Sequence, residues 1–96
     1  MKELTSLEEV DKFIAAHTLV ILEFGAPWCA PCKQLEPVLD QIQNEYQVEI
    51  GKVDVQRVAG AIDLFQVAGL PTLLLVEQNQ PVNAISGARG KTTIVS

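Results

Sequence analysis

Two cysteines three positions apart, Cys29 and Cys32, stand where a short apolar run gives way to a helical pattern. The run, Leu19-Val20-Ile21-Leu22, is rich in branched residues and is followed by the turn-forming Gly25-Ala26-Pro27. It reads as a strand buried on both faces. Beyond it, residues 31–46 place Leu35, Val38, Leu39, Ile42 and Tyr46 on one helical face. Pro37 falls inside that helix, where a kink is predicted. A cysteine pair set between a buried strand and a covering helix restricts the chain to sheet architectures.

The remaining pattern fills in the sheet. Ser6-Leu7-Glu8-Glu9 is a capping-box pattern, and Leu7, Val10, Phe13 and Ile14 follow at helical spacing, which predicts a helix over 6–16. Residues 48–55 alternate and read as a strand. Residues 58–67 read as a shorter helix with Val58, Ala61, Ile62 and Phe65 inward. Residues 72–77 form another buried strand, Gln78-Asn79-Gln80 a hairpin turn, and 82–86 the returning strand. Residues 1–4 add a short edge strand. The order fits one α/β domain over 1–96, with a central mixed sheet and helices on both faces. Residues 90–96 are too few for a helix of average length.

Composition excludes several classes. The chain has 96 residues, 48% of them hydrophobic, enough for one packed core and too few for two. A net charge of −5 argues against nucleic acid and anionic membrane as partners. Nothing approaches the run of about 18 apolar residues that spans a bilayer, and residues 1–10 lack the apolar core of a signal peptide. The cytosol is the simplest compartment. Two cysteines and the distant His17 fall short of the four ligands of a structural zinc site, so no metal is expected. A stapled secreted domain would carry more cysteines.

The chemistry follows from the position of the pair. A helix N-terminus offers unpaired N–H groups and partial positive charge, and both stabilise a thiolate. Cys29 is therefore the expected nucleophile, and Cys32, one turn later and more covered, the resolving thiol of a redox disulfide Cys29–Cys32. Pro31 lacks an N–H where none is needed and stiffens the ring. Glu23 lies in an otherwise apolar strand, where burial would raise its pKa. A solvent-turned Glu23, or one paired with Lys52, is the plainer alternative. His17 and Asp54 carry no functional expectation, and the acidic residues of 36–49 read as a solvated helix face.

Phe24-Gly25-Ala26-Pro27-Trp28-Cys29-Ala30-Pro31-Cys32-Lys33 resembles the active-site segment of the thioredoxin family. Gly69-Leu70-Pro71-Thr72 resembles that family's cis-proline loop, and Ser86-Gly87-Ala88 its glycine loop after the last strand. The resemblance implies a thioredoxin-like fold and reduction of protein disulfides. It assigns Glu23 a proton-relay role and Lys52 the tuning of Glu23. It implies a cis bond before Pro71, facing the thiols. It also implies a substrate rim of Trp28, Gly69, Leu70, Gly87 and Ala88. No bound cofactor is implied; electrons would come from an NADPH-linked thioredoxin reductase, and partners would be protein disulfides.

The chain departs from that pattern at three places. Ala30 replaces a common glycine between the cysteines, and Gly25 stands where family members carry a large aromatic residue. The C-terminal helix is expected to be short or missing. That implies a truncated end or a covering partner, and either weak homodimerisation through the uncovered face or reduced stability. A disulfide oxidase or isomerase remains the rival enzyme reading. A redox-inactive protein-binding or chaperone module that uses Trp28 and Leu70 is the rival from another class.

Overall fold

The computed structural model describes residues 1–87. Eight elements follow in order: β1 (Lys2–Leu4), α1 (Leu7–Ala16), β2 (Leu19–Gly25), α2 (Ala30–Tyr46), β3 (Glu49–Asp54), α3 (Ala61–Phe65), β4 (Thr72–Glu77) and β5 (Gln80–Ser86). The strands form one sheet in the order β1-β3-β2-β4-β5. β1 and β2 run parallel to β3, while β4 runs antiparallel to β2 and β5 antiparallel to β4. β2 is thus central, as its unbroken apolar run requires.

Strand alternation sorts β2 between two cores. Val20, Leu22 and Phe24 join Leu4, Val10, Phe13 and Val58 on the side of α1 and α3. Ile21 joins Leu35, Leu39, Ile42 and Ile50 on the side of α2. Full burial of a side chain such as Leu39 contributes about 1.5–3 kcal/mol. Glu23 and Gly25 share the parity of Ile21, so both face α2 beneath the cysteines. Gly51 is where β1 and α1 press closest to β3. A Cβ there would lie 2.6 Å from Leu4 Cδ1 and 3.0 Å from Phe13 Cε2.

Local chemistry sets the helix ends. Ser6 Oγ accepts the Glu9 N–H at 3.1 Å and caps α1. The Glu9 carboxylate reaches back one residue further than a capping box, taking the Thr5 N–H at 2.8 Å and its hydroxyl at 2.9 Å. These bonds, the backbone one first, hold Glu9 below the usual carboxylate range. The α2 helix runs unbroken through Pro37. Gln78 and Asn79, both at positive φ, close the β4–β5 hairpin.

Three expectations need correction. The helix predicted over 58–67 is only Ala61–Phe65, because Gly60 at φ 84° and Gln66 at φ 54° stop it at both ends. Ile62, read as inward, is exposed, since so short a helix turns only Ala61 fully inside. β5 begins at Gln80 rather than residue 82, because a two-residue turn suffices. Among the described residues, no helix is long and apolar enough to cross a membrane. The expectations for residues 90–96 and Ala88 lie outside the described residues.

Candidate active site

The helix that carries the cysteine pair begins at the pair itself. Cys29 is the N-cap of α2, and its Sγ accepts the Cys32 N–H at 3.2 Å. Its own N–H donates to Ala26 O at 3.1 Å, and its carbonyl accepts the Lys33 N–H at 3.2 Å. A sulfur in this position faces the positive end of a 17-residue helix. Pro31, in the first turn, leaves no donor unpaired there. The two sulfurs are joined as a disulfide, with the Cα atoms 5.3 Å apart.

Cys29 and Cys32 are 4% and 3% exposed, so coverage does not separate them as the sequence predicts. Their surroundings do. Cys29 lines an open groove of about 730 Å³ together with Trp28, Pro31, Ile62, Val67, Gly69 and Leu70. Cys32 faces the sheet: a Cβ at Gly25 would lie 3.2 Å from Cys32 Sγ. Ala26, Cys29 and Cys32 pack as one small cluster against Val55 and Leu70. Trp28 is 66% exposed and stands at the groove as a ready apolar surface.

The Leu70-Pro71 bond is cis, as the resemblance implies. The loop is tied at both sides. Thr72 Oγ1 donates to Gly69 O, and Gly87 N–H donates to Pro71 O at 2.8 Å. Gly87, at φ 87°, takes a backbone shape that side chains disfavour. It braces Pro71 and does not line the groove.

Glu23 is fully buried, and neither carboxyl oxygen has a hydrogen-bond partner among the described residues. Burial, then the negative charge of Glu36, push its pKa up to about 7; Lys52 pulls the other way. Lys52 is its register partner on β3, yet the ammonium lies on Glu36 Oε2 at 3.1 Å. Burial works against the Lys52 charge, but the Glu36 bond and charge, with Glu23 and Glu3, outweigh it and raise its pKa. Beside them a cleft of about 290 Å³ is lined by Gly25, Pro27, Lys33, Glu36, Lys52 and Asp54.

The structure therefore gathers the sequence-predicted residues in two places. Trp28, Cys29, Pro31, Gly69 and Leu70 meet at the groove; Glu23 and Lys52 lie behind Cys32. The sequence pattern places Glu36 on a solvated face, but it is half-buried and holds Lys52. Its spacing of one turn from Cys32 on the same helix is the signal that would have found it. Ile62 and Val67 were likewise missed as groove residues. Among the described residues, no group of three or more His, Cys, Asp or Glu could hold a metal ion.

The thioredoxin family model matches residues 2–96. A thioredoxin of Mycobacterium tuberculosis is 37% identical over 84 residues, covering 85% of this chain and 72% of that protein. A bifunctional thioredoxin reductase/thioredoxin of Mycobacterium leprae is 35% identical over 95 residues; the match covers 97% of this chain and 21% of that one. Plasmodium falciparum thioredoxin superposes with a TM-score of 0.92 at 29% identity, over 99% of this chain and 93% of that chain. The chain belongs to the thioredoxin family, and with its Cys29–Cys32 pair it is a thiol-disulfide oxidoreductase.

Proposed function

We propose that the chain reduces protein disulfides, with Cys29 as nucleophile and Cys32 as resolving thiol. The Cys29 thiolate attacks one sulfur of a substrate disulfide. That S–S bond breaks, a Cys29–substrate disulfide forms, and the departing substrate thiolate takes a proton. Cys32 then gives its proton to the Glu23 carboxylate and attacks Cys29 Sγ. The second substrate thiol leaves protonated, and Cys29–Cys32 closes. Two electrons pass from the dithiol to the substrate.

The observation that carries this reading is Cys29 Sγ at the N-terminus of α2, opening onto the groove of Trp28 and Leu70. That groove suits an extended peptide, which would pair with the loop before Pro71 as an added strand. Lys52 would set the charge around Glu23. A thioredoxin reductase, NADPH-linked, would return the electrons; the Mycobacterium leprae relative, whose name joins the two proteins, supports that partner. The dithiol is itself the redox centre, so residues 1–96 act as one domain without a bound cofactor. A compartment that keeps such a dithiol reduced is the cytosol.

The test is the equilibrium reduction potential of Cys29–Cys32 in a dithiothreitol series. A value near about −270 mV fits a reductase, and one near about −180 mV fits an isomerase or oxidase. The gap corresponds to about 4 kcal/mol for a two-electron couple, so the outcomes are well separated.

A further inference from the structure

Three carboxylates, Glu3, Glu23 and Glu36, act on Lys52, and its ammonium bonds Glu36. Glu23 is its partner across the β2–β3 register, one strand away and on the same face. Glu36 reaches it from α2 and takes the ammonium at 3.1 Å. Gly25, Glu36 and Lys52 line one cleft between strand and helix. Both carboxyl oxygens of Glu23 are left without a hydrogen-bond partner among the described residues, in a site sealed from solvent.

We propose that Glu36 is a positioning residue: it draws the Lys52 ammonium into the cleft beside Gly25 and so leaves the buried Glu23 carboxyl unpaired, as a proton acceptor for Cys32. This rests on the relay role given to Glu23 above, and deepens it.

The groups around Glu23 fit this division of roles. From α2 come Cys32 and Glu36, from β3 Lys52, and from β1 Glu3, which acts on Lys52. From β4 the neighbour is Leu73, which carries no charge. Lys33 and Asp54 line the same cleft. Lys52 is the cation whose charge acts on Glu23, and Glu36 is the group that occupies it. A carboxyl without a cation partner holds its proton more tightly than one with such a partner. The Cys32 proton then has a receiver that also releases it again near neutral pH.

The test uses the whole oxidised chain, in which no thiol titrates. The Glu23 carboxyl is followed by carbon-13 NMR through a pH series in the parent, Glu36→Gln, Lys52→Gln and the double variant. In Glu36→Gln the freed ammonium turns to Glu23, and the titration midpoint falls by about one pH unit or more. In the Lys52→Gln background the same change moves it much less. A midpoint unmoved by Glu36→Gln, or moved equally in both backgrounds, overturns the inference. The pH–rate profile for reduction of a cystine peptide is read on the same variants. If it follows the NMR midpoint, both readings stand. If the midpoint moves and the rate profile does not, the Glu36–Lys52 inference stands and the relay role of Glu23 falls.

Discussion

Lys52 Nζ lies 3.1 Å from Glu36 Oε2, while Glu23, its register partner on the next strand, is left unpaired in the core. An ion pair at the half-buried rim is easier to form than one inside, since each buried charge loses its hydration. The arrangement leaves the interior carboxyl protonatable and keeps the ion pair at the rim.

The first prediction concerns stability. Glu23 has a pKa of about 7 in the fold against its ordinary 4.5. Between these values the folded chain holds a proton that the unfolded chain has released. Stability is therefore highest below pH 4.5 as far as this group is concerned, falls through the window, and stays reduced above about 7. The difference is about 3 kcal/mol, at about 1.4 kcal/mol per unit. Denaturant melts of the oxidised protein across the window check it. Glu23→Gln removes this slope.

The cysteines separate by variant. Cys29→Ser reduces activity to background because no attacking thiolate remains. Cys32→Ser completes the first exchange and stops, so mass spectrometry of the reaction shows a stable adduct through Cys29. A Cys32→Ser variant that turns over normally would reverse the assigned roles.

Trp28 is two-thirds exposed, so its removal bears on binding and hardly on folding. Trp28→Ala lowers kcat/KM for a cystine peptide about tenfold, corresponding to the roughly 1.4 kcal/mol of an apolar anchor. The melting temperature stays within about a degree or two of the parent, as for most surface substitutions.

Gly51→Val tests the packing of β1 and α1. Its Cβ alone would lie 2.6 Å from Leu4 Cδ1. Overpacking of this kind destabilises by about 1–3 kcal/mol, read as a lower denaturant midpoint with the Cys29–Cys32 potential unchanged.

The elements were largely legible from the chain because their signals are local. Ser6 caps where a cap is written, and the Leu19–Leu22 run sits at the centre of the sheet. The helix before Pro71 was read too long, since Gly60 and Gln66 act through backbone shape and carry no periodic mark. The site was legible wherever it is contiguous, as in residues 28–32. What pairs with Lys52 was not. Glu23, Glu36 and Lys52 come from three elements, and only their packing decides which carboxylate the ammonium meets. The equal coverage of Cys29 and Cys32 is likewise set by Leu70 and Val55, distant in sequence.

Gly25 lies against Cys32 on one side and lines a second cleft on the other. The residues that line the groove in front of Cys29 and those that line the cleft beside Gly25 form two sets with no member in common. In the proposed binding mode, a peptide over Trp28 and Leu70 covers the first set and not the second. Under the proposed mechanism, substrate docking and the Lys52–Glu36 ion pair use separate linings, so a substitution in one leaves the residues of the other in place.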